Sequence, residues 1–238
     1  MSRAVDGWRM RVALVLGAVL LLVIGLVVGR VTTPVVTSPS TLSAEAGFAR
    51  DMQVHHQQAI DMALIIRDRT TDPEIRQLAY DIATSQGQQA GQMFAWLNLW
   101  GLPQVSPVPA MTWMTLPTLD QSAAGHGMNM GTAAGATAVA GATAAASAGA
   151  SAQAVTPGAA MPGMATSADL ANLQTLSGVP AEKLFLSLMI AHHQGGVEMA
   201  DALVARSTNS DVLSLASTIV TAQTSEIGYM QQLLAARA

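Results

Sequence analysis

No cysteine occurs in the 238 residues, which removes disulfides and thiolate metal sites together. Any metal held by this chain must use histidine, methionine or oxygen ligands. Aromatic residues are scarce at 4%, although half the chain is apolar and alanine is abundant. That mixture suits closely packed helices and argues against a β-sandwich, whose strands draw on β-branched and aromatic residues. Charge is sparse too: charged residues make up 11% and the net charge is −4, with no basic stripe. Nucleic acid is therefore not an expected partner. Glu-x-x-His is absent from the sequence. Di-iron sites of helical bundles are built on that motif, so an enzyme of that class is not expected, and the chain is read as a non-enzyme.

What is present is stated twice. Residues 48–97 and 185–234 align without a gap at a constant spacing of 137, with about 17 of 50 positions identical. The shared core runs Phe48, Met52, His55, His56, Gln57, Met62, Ala63, then Phe185, Met189, His192, His193, Gln194, Met199, Ala200. Four of the five histidines lie in these two pairs. A duplicated packing pattern is unsurprising, because both halves must pack. A repeated His-His pair flanked by methionines is harder to explain by packing alone, and it suggests one site built jointly by both halves.

The longest apolar run lies near the N-terminus. Residues 12–29 are all apolar or glycine, bracketed by Arg11 and Arg30. As a helix this run spans roughly 27 Å, close to the ~30 Å hydrocarbon core of a bilayer. Arg3, Arg9 and Arg11 precede it and Arg30 follows. The positive-inside rule then leaves the N-terminus cytoplasmic and the rest of the chain outside. A cleaved signal peptide, giving a secreted protein, is the alternative. The run exceeds the usual apolar region of such peptides and no small-x-small site follows it, so a transmembrane anchor over 1–30 is the expectation.

Residues 31–42, rich in Thr, Pro, Ser and Val, read as an extended spacer. A first helical hairpin is expected over 43–101, with Ser43 as its cap and a stop and restart at Asp72-Pro73-Glu74. A second is expected over 167–238, with Gly178 and Pro180 before its long helix and Asn209 or Ser210 capping the last. A two-helix hairpin cannot bury its apolar stripe alone, so two copies predict an all-α four-helix bundle. Between them, 102–166 contains a stretch of Ala, Gly, Thr, Ser and Val without large side chains, and is expected to be a flexible insertion. Its Met111, Met114, His126, Met128, Met130, Met161 and Met164 admit two readings, a weak capture segment for a soft metal or an incidental spacer.

Residues at i, i+3, i+4 and i+7 share a helical face. Met52 therefore lies one turn from His55 and His56, and Met62 two turns beyond His55. Met189, His192, His193 and Met199 repeat the arrangement. Gln86 with Met93, and Gln223 with Met230, occupy equivalent places on the second helix of each hairpin. Glu226 aligns with Gln89, so that acidic residue is not duplicated. Asp61 and Glu198 match each other but fall well round the helix, toward solvent. Imidazole is a borderline donor and thioether a soft, uncharged one. Together they suit copper, as Cu(I) or Cu(II), and serve hard Mg²⁺ or Ca²⁺ poorly.

The stretch 176–200, carrying Phe185, Met189, His192-His193-Gln194 and Met199-Ala200, closely resembles the signature of a bacterial family catalogued as a domain of unknown function, number 305 in that series. The resemblance covers both halves and implies a ferritin-like helical fold. It also implies an exported or membrane-anchored protein, since periplasmic members that bind copper through Met and His are known. Carried over by position, it points to Met52, His55, His56, Met62, Met189, His192, His193 and Met199 as metal ligands. The long Ala/Gly-rich insertion departs from the compact family pattern. The expectation is thus a single-pass membrane protein whose extracytoplasmic domain binds copper for homeostasis or resistance, with the membrane and a metal ion as partners and homo-oligomerisation left open. The competing expectation is a membrane-tethered interaction bundle whose histidines only hydrogen-bond across the core.

Overall fold

A computed structural model describes residues 2–32, 38–120 and 156–237. Among them it contains six α-helices and one short 3-10 turn, with no strand. They divide into two units, Met1–Ser38 and Pro39–Ala238. The first holds helix α1, Ser2–Thr32. Its stretch Met10–Arg30 is long and apolar enough to cross a membrane, and the leucines and valines from Val12 to Val28 are exposed. Of the expected 31–42 spacer, residues 33–37 lie outside the described residues.

The second unit is the duplicated bundle. Helix α2 spans Ala44–Arg69 and α3 Pro73–Leu99. After the short α4, Ser167–Thr175, come α5, Gly178–Val204, and α6, Ser210–Ala235. The starts of α2, α3 and α6 have side-chain caps that satisfy otherwise orphaned amides. Ser43 Oγ accepts from the Ala46 amide, Asp72 from Glu74 and Ile75, and Asn209 from Asp211 and Val212. Pro73 stands at the first position of α3, where its missing N–H costs nothing.

Helix α2 packs along α3, α5 along α6, and α2 against α5. Two reciprocal hydrogen bonds fix the direction of that central pair. Thr70, just past the end of α2, donates to Glu182 in the first turns of α5 at 2.5 Å. Ser207, just past the end of α5, donates to Glu45 in the first turn of α2 at 2.6 Å. Thr70 and Ser207 are equivalent residues of the duplication, as are Glu45 and Glu182. The halves are therefore related by a pseudo-two-fold, with α2 and α5 antiparallel. Arg237 reinforces one end by pairing with Asp72 and Glu182, each at 2.7 Å.

The apolar interior falls into two clusters, one at each end of the α2–α5 pair. One gathers Phe48, Met52, Met93 and Leu97 from the first half with Met199, Leu203 and Ile219 from the second. The other gathers Met62, Ile66 and Ile82 with Phe185, Met189 and Met230.

The flanks of the 102–166 segment are not the flexible material that composition suggested. Residues 102–120 close over the first cluster. Met111 and Trp113 are buried, and their backbone amide and indole N–H both donate to the buried Asp51 carboxylate, at 2.7 and 2.9 Å. Arg50 holds the Pro103 carbonyl, and Arg206 holds those of Met114 and Leu116. Gly47 is required here, because a Cβ would stand 2.5 Å from the Trp113 side chain. A few polar anchors and one indole thus outweigh the weak composition of the segment around them. The low-complexity centre of the expected insertion, 121–155, lies outside the described residues, together with His126, Met128 and Met130.

Replacing Trp113 by Ala removes this cap's largest side chain and leaves part of the Asp51 carboxylate unpartnered. The expected cost is about 3–5 kcal/mol, read as a shift of the urea unfolding midpoint. A variant as stable as the parent would show that the flank does not pack.

Candidate metal centre

All eight residues singled out by the duplicated motif are fully buried: Met52, His55, His56, Met62, Met189, His192, His193 and Met199. The antiparallel helix pair places the four imidazoles midway along its length. His55 and His192 meet across the pseudo-two-fold, with ring centroids 3.8 Å apart and planes tilted by 33°. His193 follows at 6.4 Å from His192. His56 and His193 turn instead toward the second helix of their own hairpins. His56 Nε2 donates to Gln89 Oε1 on α3, and His193 Nε2 to Glu226 Oε2 on α6, each at 2.7 Å.

The methionines bracket this cluster, and their pairing crosses the halves. Met52 shares a cluster with Met199, and Met62 with Met189. Each helix thus supplies sulfur to both sides of the histidines, which the stripe on a single helix does not reveal. Met93 and Met230 join the same two sets from α3 and α6. Asp61 and Glu198 are exposed, in line with their place on the helical wheel.

A strap covers the centre. It begins near Gly158, whose amide donates to the Ala110 carbonyl, and runs through Met161 to Thr166 at the head of α4. The Pro162 carbonyl accepts from His55 Nε2 at 3.0 Å. Gln58 clamps Ala165 with two bonds, one to its carbonyl and one from its amide. Backbone meets backbone beneath it: a Cβ on Gly195 would stand 2.0 Å from the Pro162 oxygen, and one on Gly163 2.1 Å from the Ala191 oxygen. The strap was not recognised from the sequence. Its one legible sign was Gly195-Gly196 after the second His-His-Gln, where the first half has Gln58-Ala59, since paired glycines in a helix often mark close approach.

Hydrogen bonding fixes which ring nitrogens remain available. A carbonyl or carboxylate oxygen only accepts, so His55 and His193 carry their proton on Nε2 and leave the Nδ1 lone pair free. Among the described residues, the buried side-chain nitrogens and oxygens without a hydrogen-bond partner belong to six residues. They are Nδ1 of His55, His56 and His193, both nitrogens of His192, and both amide atoms of Gln86 and Gln223. All six lie at duplicated positions, four in the His-His pairs and two, Gln86 and Gln223, on the second helix of each hairpin. An unpaired buried polar atom costs about 1–3 kcal/mol, so a cluster of them is expensive unless something takes up the lone pairs.

These donors fit a soft or borderline ion. Neutral imidazole nitrogen and thioether sulfur are available without losing a proton at neutral pH. Among the described residues no three His, Asp or Glu side chains gather round one point. An ion here would therefore draw on thioether or amide atoms beside imidazole. The face-to-face approach of the tilted His55 and His192 rings reinforces this, because imidazole lone pairs lie in the ring plane.

The fold and this interior define the class of protein: an all-α, internally duplicated four-helix bundle with a buried His/Met centre. The family model described as domain of unknown function DUF305 matches residues 45–234, and the chain belongs to that family. A DUF305 protein from Streptomyces coelicolor, described as secreted, is 44% identical with a TM-score of 0.63, covering 83% of this chain and 96% of that one. A DUF305 fragment from Deinococcus radiodurans is 30% identical with a TM-score of 0.55, covering 81% and 95%. CopM in its Cu(I)-bound form is 24% identical with a TM-score of 0.50, covering 80% and 94%, a likeness of fold. No curated protein matches the chain.

Burial lowers the basicity of the cluster. Desolvation pulls His55 down to about 4 and His56 to about 3 from an ordinary 6.5; the Pro162 and Gln89 bonds oppose this, and neighbouring imidazoles add to it. His192 is also held well below the ordinary value, by burial first and then by the other three rings. The unfolded chain takes up protons below about 6.5 that the native state resists. These histidines therefore leave stability unchanged above that pH and erode it as pH falls from about 6.5 toward 4. Each contributes a slope of about 1.4 kcal/mol per pH unit. Urea midpoints are expected to be flat from about pH 8 to 7 and to fall steeply between about pH 6 and 5, above the carboxylate range. A flat profile through that window would mean that the rings are not buried as described. Separately, Gly195→Ala sets a Cβ against the Pro162 carbonyl and is expected to cost about 1–3 kcal/mol and to release the strap, seen as faster exchange of the Ala165 amide.

Proposed function

We propose that this protein is a metal-binding bundle held at the outer face of the cytoplasmic membrane by α1, with copper as its ion and homeostasis or resistance as its role. One observation carries the reading: among the described residues, the buried side-chain nitrogens and oxygens lacking partners are the imidazole and amide atoms of duplicated positions, set between two groups of thioethers. Binding of an ion is the event that would offset their desolvation. His55, His56, His192 and His193 are the borderline donors, and Met52, Met62, Met189 and Met199 the soft ones. CopM, which shares the fold, is known in Cu(I)-bound and Cu(II)-bound forms, and this supports the choice of copper. Membrane attachment is supported by the length and apolarity of Met10–Arg30. The Streptomyces coelicolor relative described as secreted supports an extracytoplasmic place for the bundle. The role proposed is binding rather than catalysis.

A second reading has its own observation. Three of the imidazoles already donate to oxygen acceptors, Pro162, Gln89 and Glu226, as they would in a purely structural core. Under that reading the protein is a tethered interaction module without metal. Titration of the full chain in detergent separates the two. Copper binding is expected to be saturable and to weaken by at least ~100-fold when the four helical histidines are replaced by Ala, more than loss of a residue that only orients a ligand would cost. Binding unaltered by that replacement would remove the site assignment. No uptake by the parent chain would favour the interaction module.

A further inference from the structure

The two halves of the centre are electrically unequal. His56 and His193 occupy equivalent positions, and each donates Nε2–H to the equivalent residue of its hairpin's second helix at 2.7 Å. In the first half that residue is the neutral Gln89, and in the second it is the carboxylate of Glu226. The His193 side chain is fully buried, while that of Glu226 is 26% exposed. Three other carboxylates on the helix pair are engaged elsewhere, and Asp61 and Glu198 are exposed. Asp51 accepts from Met111 and Trp113, Glu182 from Thr70 and Arg237, and Glu45 from Ser207. Among the described residues, Glu226 is the carboxylate that hydrogen-bonds an imidazole of the cluster.

A carboxylate on the far nitrogen of an imidazole makes the near nitrogen a stronger donor and fixes the ring's orientation. It also places a negative charge one ring away from whatever the near nitrogen holds. Coulomb attraction to that charge scales with the charge of the ion, so a dication gains more than a monocation. A neutral amide holds its ring in the same way without distinguishing ions by charge. The duplication thus presents nearly the same imidazole twice, once with a charge behind it and once without.

We infer that the His193–Glu226 pair makes the second half of the centre selective for a divalent ion, Cu(II) in the first instance, while the His56–Gln89 half and the thioethers serve Cu(I). Glu226 is a positioning residue, acting through His193 and not by direct contact with the ion. This inference rests on the copper-binding reading and adds to it a division of labour between the halves.

The test uses the full chain in detergent, with Cu(II) and Cu(I) titrated separately against competing chelators, the latter without oxygen. Glu226→Gln is expected to weaken Cu(II) binding by about 10–100-fold, the range for loss of an outer-shell partner, and Cu(I) binding by less than about threefold. The Cu(II) electron paramagnetic resonance spectrum should change with it. A purely structural role for Glu226 would weaken both ions alike. Gln89→Glu in the parent is expected to strengthen Cu(II) by about tenfold. Should Glu226→Gln lose the helical circular dichroism of the parent, Gln89→Glu decides alone, and no gain in Cu(II) affinity then overturns the inference. Equal losses for both ions, or unchanged Cu(II) affinity in folded Glu226→Gln, overturn it while leaving copper binding intact. A parent chain that takes up neither ion overturns both.

Discussion

The structure depends on one packing constraint, the antiparallel contact of α2 with α5 that buries four imidazoles. Each helix must surrender its histidines to an interior where their charged forms are disfavoured. The contact is held in register from both ends. Thr70 bonds Glu182 and Ser207 bonds Glu45, so the end of each helix is tied to the start of the other. Sliding the pair by a turn would break both bonds and separate His55 from His192. The same register assembles the methionines from opposite halves, so the centre is a product of the interface and belongs to neither hairpin alone.

Polar satisfaction is divided unevenly over that interface. At the helix ends, caps, arginines and reciprocal bonds pair the charged groups. In the middle, the motif's imidazoles and glutamines keep atoms without partners. Well-folded proteins leave few such atoms, and here they are concentrated in duplicated residues, where each detracts from stability. The paired groups at the ends offset that cost.

The strap and the end cap show how a poor sequence can be made to pack. Neither segment carries a long apolar stripe. Asp51 and the Pro162 carbonyl each offer a buried acceptor to the chain lying over or under them. Glycines at 47, 163 and 195 remove the side chains that would prevent contact. The two halves also differ at one equivalent position, Gln89 and Glu226, and each of these residues bonds its histidine at 2.7 Å. The geometry is the same in both halves and the side-chain chemistry is not.

The repeated motif, read along the chain, was enough to expect the helical class and the two hairpins and to single out the His and Met residues. Adjacent histidines diverge by about 100° round a helix, so the motif left one of each pair free to face the rim, whereas both are buried. Helical periodicity and capping are local, so Ser43, Asp72 and Asn209 announced the starts that their side chains make. Membership of the family followed from the same residues. Only the tertiary structure decided that Met52 joins Met199, that His55 faces His192, and that Trp113 and Pro162 belong to the bundle at all. Those are contacts between residues far apart in sequence, set by the direction in which two helices pack. A periodic pattern says which face of a helix is buried; it does not say what that face meets.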